Sequence, residues 1–171
     1  MPRFCVIHTE DAVDRWKERN FSDMFVDGLK SEGDSWVVIN PATGDSLANV
    51  LDEGYDGIVI TGSHYNVRDQ LPWYEPLCDI IHHVAKTGMP RMYGGCFGHQ
   101  IVAHALGGTA GYNPRFVMKA ETIKVLPAFS KVFAADVTAL QLLEVHGDCV
   151  VSLPPEAELL ATSDSCAHEA Y

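Results

Sequence analysis

Four short apolar runs that read as strands, most of them followed by a segment of helical periodicity, confine this chain to a narrow set of folds. They are "RFCVIH" (residues 3–8), "SWVVIN" (35–40), "DGIVIT" (56–61) and "PRMYGG" (90–95). Between the first two, the stretch from Asp11 to Lys30 carries Phe21, Met24, Phe25 and Leu29 at helical spacing. A short helix is expected near Ser46 to Leu51. After the third strand, "LPWYEPLCDIIHHVAKTG" brings Trp73, Leu77, Ile80, Ile81 and Val84 to one helical face, and Gly88 is its natural stop. After the fourth, "FGHQIVAHALGG" is a helix ended by Gly107 and Gly108. Strands alternating with helices pair in parallel and are covered on both faces, so the expected class is α/β with a doubly wound, mainly parallel sheet. Beyond Gly108 the pattern changes. "AETIKVLPAF", "ALQLLEVHGDCV" and "AELLATSD" read as strands joined by turns, so antiparallel strands attached to the parallel sheet are expected in the C-terminal half.

At 171 residues and 47% hydrophobic composition, one compact domain spanning residues 1–171 is the expectation. No run of about 18 apolar residues is present, and the N-terminus enters a strand directly, so a cytoplasmic protein is expected rather than one bound to a membrane. The formal net charge of −11, with no Lys/Arg cluster, argues against nucleic acid or an anionic membrane as partner, because both require a basic surface. The five cysteines, Cys5, Cys78, Cys96, Cys149 and Cys166, are odd in number, widely spaced and without a CxxC pair, which suggests neither a disulfide framework nor a zinc site. No metal or cofactor is inferred. His104 lies five residues beyond His99, off the i, i+4 spacing of a helical ligand pair. His82 and His83 belong to an amphipathic helix, and His64 follows a glycine turn, where it either lines a site or is solvated.

The most chemically loaded segment is "RMYGGCFGHQ", in which Gly94 and Gly98 flank Cys96 two residues to either side. Strand, tight turn and helix together reproduce the G-x-nucleophile-x-G elbow, with cysteine in place of serine: the turn leaves no room for neighbouring Cβ atoms and aims the nucleophile out of the sheet. The unpaired N–H groups at the start of the following helix favour an anion there. In a doubly wound sheet, ligands collect at such strand-to-helix junctions.

"GGCFGHQ" resembles the nucleophile motif of the class I glutamine amidotransferase domains, typically G-x-C-x-G-H-Q. "YDGIVITGSHYNVRD" is similar to the strand and loop that precede it in the family, usually ending S-G-G-P, and "ALGGTAGYN" resembles its helix exit. "EVHGDCVVSLPPEAELLATSDSC" is similar to a later segment, often written H-x-D-E-V-x-x-L-P-x-G-A-x-x-L-A-x-S. The resemblance runs from about Asp56 to Cys166 and is strongest to the stand-alone group that includes gamma-glutamyl peptidases. It implies a flavodoxin-like sandwich and a Cys-His-Glu triad, with Cys96 as nucleophile, Gln100 holding the glutamyl group, and the backbone N–H groups of Phe97 and Ser63 serving the oxyanion. Ser63 stands where the family has a glycine, and a serine resists positive φ.

In the family the triad histidine and glutamate come from a later strand carrying H-P-E. No H-P-E occurs in this sequence, so relative to the family a C-terminally incomplete domain is expected. Local substitutes are few. His146 and Asp148 are two apart and would share one face of a strand, as a base and its orienting carboxylate should, although they fall in the H-x-D-E-V segment. His168 and Glu169 are adjacent and would point to opposite faces. Two functions are therefore carried forward. The first is hydrolysis of the glutamine side-chain amide or a γ-glutamyl peptide bond through a Cys96 thioester, with any ammonia acceptor on a separate synthase subunit. The second is a catalytically inactive member of the same lineage that binds a metabolite or partner. Uncovered sheet edges in an incomplete domain further predict self-association.

Overall fold

The computed structural model describes residues 1–12 and 19–171. The chain divides into two compact units, Met1–Ala105 and Leu106–Tyr171. In the first, strands β1 (Arg3–Ile7), β2 (Ser35–Ile39), β3 (Gly57–Ile60) and β4 (Arg91–Gly94) form a fully parallel sheet in the order β2-β1-β3-β4, the flavodoxin-like arrangement. The central strands are the most apolar. Cys5, Val6 and Ile7 of β1 and all of β3 are buried, whereas Val37, Val38 and Tyr93 on the two outer strands are exposed.

Helix α1 (Phe21–Leu29) starts at Asn20, whose side chain accepts from the Asp23 N–H while the Asp23 carboxylate accepts from the Asn20 N–H. The periodicity that began at Asp11 is thus realised from Phe21; residues 13–18 lie outside the described set. Helix α2 (Tyr74–Thr87) buries Tyr74, Leu77, Ile80 and Ile81 and ends at Gly88, whose left-handed φ of 73° lets its N–H bond the Val84 carbonyl at 2.8 Å. Helix α3 (Phe97–Ala105) follows β4 after the short turn of Gly95 and Cys96. No helix forms at Ser46–Leu51. Two successive turns, Val50 N–H to Leu47 O and Asp52 N–H to Asn49 O, bury Leu47 and Val50 there instead, between Gly44 and Gly54 at positive φ.

The second unit is a separate three-stranded antiparallel sheet, order β6-β5-β7, made of β5 (Thr109–Val125), β6 (Ala139–Ser152) and β7 (Ala161–Thr162). The antiparallel strands expected in this half are therefore present, but they form a sheet of their own rather than extending the parallel one. The β5–β6 register shifts between Tyr112 and Val117, where Pro114 has no N–H to offer the ladder. The segment "VLPAF" is not strand throughout. Val125 ends β5, and Pro127 opens the short helix α4 (Pro127–Phe133), where its fixed φ suits the first helical position. No helix among the described residues is long and apolar enough to cross a membrane.

Candidate active site

Cys96 adopts φ +52°, a left-handed conformation rare outside glycine. The surrounding backbone dictates it. The Gly95 N–H bonds Ile60 O at 3.0 Å, the Gly98 N–H lies 3.1 Å from Thr61 O and 2.9 Å from Gly95 O, and the Gln100 N–H closes the first turn of α3 on Cys96 O at 3.1 Å. This ties the turn to the end of β3. The two flanking glycines are required by packing: a Cβ on Gly94 would lie 2.5 Å from the carbonyl group of Gly98, and one on Gly98 would lie 2.3 Å from Ile60 O. The thiol side is left open, and Cys96 is exposed. Phe97, next in sequence, is buried against Trp73 and Tyr74 with ring centroids 5.8 and 5.5 Å away, which anchors the helix start.

The loops that follow β1 and β3 flank the elbow. Thr9 and Thr61 are fully buried and joined by Thr9 N–H to Thr61 Oγ1 at 3.0 Å, and the Thr9 hydroxyl reaches the carbonyls of Thr61 and Gly62, each at 3.1 Å. A Cβ on Gly62 would stand 3.3 Å from Cys96 Cβ and 3.7 Å from its Sγ, so this turn runs directly beside the thiol. Ser63 needs no positive φ: among the described non-glycine residues only Gln70, Cys96 and Ala134 have one. Its hydroxyl donates to Thr9 O and accepts the Tyr65 N–H, which uses the side chain to pin the loop. Gln100 is buried in the first turn of α3.

Composition and periodicity did not single out Glu10, Asp11 or Tyr65. The Glu10 carboxylate is buried and accepts N–H groups from Asp11, Ala12 and His64 at 2.8–3.0 Å, and it also takes the His64 imidazole through Nδ1. Burial pushes the Glu10 carboxyl upward, but the Ala12 N–H and the His64 ring and N–H together outweigh it and hold the group below its ordinary value. Tyr65 OH donates to Asp11 at 2.8 Å, a bond that raises the phenol to about 12, and His64 Nε2 lies 3.9 Å from the other Asp11 oxygen. Glu10, Asp11 and His64 are the residues whose ligand atoms, all within 4.8 Å, could approach a metal among the described residues. As they stand, the N–H groups of Ala12 and His64 and the His64 ring occupy both Glu10 oxygens, which makes the group a clamp between two loops. The signal in the sequence was the polar triplet "HTE" directly after a buried strand, at the edge where doubly wound sheets collect ligands.

His146 and Asp148 lie in the second unit. His146 Nδ1 is 3.0 Å from the backbone carbonyl of Asp148, and its Nε2 is 3.9 Å from the Glu144 carboxylate. A main-chain oxygen, not the Asp148 carboxylate, thus stands at Nδ1. Burial, then the nearby Glu169, raises the Glu144 carboxyl. His168 Nδ1 is bound at Val150 O, while Glu169 accepts from Ser163, so these neighbours serve different parts of the C-terminal turn. His82 and His83 are exposed, with His82 Nε2 at 2.7 Å from Ala105 O at the end of α3.

The model of the glutamine amidotransferase class I family matches residues 18–171. The chain belongs to the class I glutamine amidotransferases. Gamma-glutamyl peptidase 4 of Arabidopsis thaliana is 33% identical over 158 residues, 88% of this chain and 62% of its own length. One of the subunits of a glutamine-hydrolysing GMP synthase from Pyrococcus furiosus is 32% identical over 91 residues, 53% of this chain and 47% of its own. The crystal structure of a glutamine amido transferase from Methylobacillus flagellatus superposes with a TM-score of 0.78 at 23% identity, covering 98% of this chain and 63% of that one. This amidotransferase chain spans about half to two thirds of the length of the first curated relatives it matches.

Proposed function

We propose that this amidotransferase chain carries the nucleophilic half of a γ-glutamyl amide hydrolase, with Cys96 as nucleophile. The observation that carries the reading is the φ of +52° at Cys96, enforced by two glycines that tolerate no Cβ and leaving the thiol exposed at the carboxyl edge of a parallel sheet. The Cys96 thiolate attacks the γ-carbonyl carbon of glutamine or a γ-glutamyl peptide. A C–S bond forms, and the carbonyl oxygen becomes an oxyanion bound by the N–H groups of Phe97 and Ser63, a type of contact worth about 3–4 kcal/mol each. Collapse breaks the C–N bond, and the amine leaves with a proton. Water then hydrolyses the thioester, releasing glutamate and restoring the thiol. Gln100 helps hold the glutamyl group. The Gly62–Ser63 turn beside Sγ supports its share of the oxyanion site.

Where the product ammonia is passed on, the acceptor is a separate synthase chain, a reading that rests on the GMP synthase component found in the set of relatives. A second reading, an inactive binding member of the lineage, is favoured by one observation: in the His/Asp pair that the sequence offered as base and orienting carboxylate, the main-chain carbonyl of Asp148 rather than its carboxylate stands at His146 Nδ1. His146 remains a candidate base to be tested, without the Asp148 carboxylate as its orienting partner.

Trapping separates nucleophile from turnover. A glutamine analogue bearing an electrophilic ketone at the γ position should label Cys96 in the native protein and not in Cys96→Ser; absence of labelling overturns the nucleophile assignment. Glutamine and γ-glutamyl peptide hydrolysis is then measured on wild type, Cys96→Ser and His146→Ala. Labelling without hydrolysis selects the inactive reading. Cys96-dependent hydrolysis selects the enzyme, and loss of it in His146→Ala would make that imidazole the base.

A further inference from the structure

The geometry points to Glu10 as a positioning residue for the oxyanion donor at Ser63. From the loop after β1 its carboxylate fixes the loop after β3, and so sets where the Ser63 N–H stands when a carbonyl carbon is attacked at Cys96. This role rests on the reading of Cys96 as nucleophile and adds to it a residue that acts through His64.

The strands β1 and β3 end their main-chain pairing with the bond from the Thr61 N–H to Ile7 O, and side chains then take over. Three successive residues of the first loop meet three of the second. The Ser63 hydroxyl donates to Thr9 O, Glu10 takes the His64 N–H at 3.0 Å together with the ring at Nδ1, and Tyr65 OH donates to Asp11 at 2.8 Å. Glu10 is itself anchored. Its carboxylate is buried and takes the Asp11 and Ala12 N–H groups at 2.9 and 2.8 Å, and Asn40, just after β2, donates to its carbonyl at 3.0 Å. Both carboxylate oxygens are thus engaged by protein groups, so Glu10 bears on the reaction through the loop it holds.

What that loop presents is set by the Gly62–Ser63 peptide. Its carbonyl, on Gly62, has the Thr9 and Thr61 hydroxyls at 3.1 and 3.0 Å. In a trans peptide the N–H lies opposite the C=O, so these contacts turn the Ser63 N–H away from the buried threonines. Among the described residues this N–H meets no acceptor, and neither does that of Phe97 at the start of α3. Open main-chain donors beside one cysteine suit an oxygen that gains negative charge there. The threonines hold the carbonyl end of the peptide. Beyond Ser63 the chain is held at His64 by Glu10, and without that hold the peptide can swing about its carbonyl, taking the donor out of line.

Two reactions of the same thiol in the full 171-residue protein test this. Iodoacetamide loses iodide from a saturated carbon, so its rate needs an accessible Cys96 thiolate and no oxyanion donor. The γ-ketone analogue of glutamine is attacked at its carbonyl carbon: a C–S bond forms, the π pair moves to oxygen, and the donors hold that oxyanion. In Glu10→Gln the amide NH2 cannot accept an N–H, so one side of the hold on His64 is lost at nearly constant volume. The expected result is ketone labelling of Cys96 slowed about 10- to 100-fold while iodoacetamide alkylation stays within about twofold of wild type. The loss belongs to the limiting rate at saturating ketone, not to the concentration that half-saturates it. His64→Ala, at an exposed position where folding is retained, removes the ring contact and should show the same split to a smaller degree; it decides alone if Glu10→Gln does not fold. Equal slowing of both reagents, a change confined to half-saturation, or ketone labelling as fast as in wild type each overturns the role. Absence of ketone labelling in wild type is a different failure: it removes the nucleophile assignment and this role with it, whereas wild-type labelling with an unchanged variant overturns the role alone.

Discussion

A left-handed backbone at a cysteine costs about 1–2 kcal/mol relative to the right-handed region, because Cβ crowds the following carbonyl. Cys96 bears that cost, while Gly94 and Gly98 are excluded from carrying side chains by backbone atoms 2.3–2.5 Å from any Cβ. Three outcomes follow at this scale. Cys96→Gly should be more stable than Cys96→Ala by about 0.5–1 kcal/mol, the strain relieved being partly offset by the greater unfolded-state freedom of glycine; equal denaturant midpoints would mean that the turn is unstrained. Gly94→Ala and Gly98→Ala should each lose about 1–3 kcal/mol, since the obstructing atoms are main chain and cannot rotate away; thermal unfolding reads this. Substoichiometric iodoacetamide should label Cys96 ahead of the other four thiols. Burial raises Cys5 to about 12 and Cys166 to about 12, and raises Cys78 and Cys149 as well. Mass mapping that finds Cys149 or Cys166 labelled first would refute the exposed elbow. The turn was legible in the sequence because residues 94–98 hold both flanking glycines and Cys96, although the Ile60 carbonyl that excludes a Cβ at Gly98 comes from β3.

Between elements, the carboxyl edge of the parallel sheet depends on pairings that no local pattern reveals. Glu10 and His64 are 54 residues apart; the sequence left His64 either lining a site or solvated and did not single out Glu10, and only the register of β1 against β3 brings them together. The same distinction explains the rest of the fold. Strands and helices with a strong apolar period, β1, β3 and α2 among them, could be read within a residue or two of their observed ends. The bulge at Asn113–Phe116 and the helix started by Pro127 could not: the first falls in the mixed stretch "NPRF", which follows no alternating pattern, and the second sits inside an apolar run that a strand pattern absorbs. The clamp has an acid signature. The folded Glu10 carboxyl lies below its ordinary 4.5, so on acidification the unfolded chain takes the proton first; the stabilisation is complete above about pH 4.5 and is lost as pH falls through the lower folded value. His8 acts earlier. Its burial outweighs the pull of Glu10 and Asp23 and keeps the imidazole below 6.5, so stability also falls once pH drops beneath 6.5 and the unfolded chain protonates there. Glu10→Gln should cost about 1–3 kcal/mol at neutral pH and flatten the lower stage while leaving a decline below pH 6.5. Urea midpoints across pH 3–8 measure both, and an unchanged lower stage in the variant would remove Glu10 from the account.

Across the whole molecule, a cluster of exposed apolar side chains lies on the β5–β6 hairpin. Met118 pairs with Val145 and Ala120 with Leu143, all on one face of the ladder, and Phe116 leans on Gly147 beside them. Met118 is 73% and Leu143 74% exposed, values that a solvated sheet face would ordinarily assign to polar side chains. A patch of this kind associates with whatever apolar surface it meets, and in a pure solution that is another copy of the chain. The formal charge of −11 opposes the encounter. Repulsion between like-charged copies is screened by salt, whereas burial of apolar surface is not weakened by it, so added sodium chloride shifts the balance toward association. Sedimentation at micromolar concentration should therefore show a weight-average mass above the monomer that rises with salt, and Met118→Lys with Leu143→Lys should return it to the monomer. These positions lie on the solvent side of the ladder, so the double variant should unfold within about 1 kcal/mol of wild type, as surface changes do. A wild-type chain that stays monomeric at high salt would mean that the hairpin face does not drive self-association.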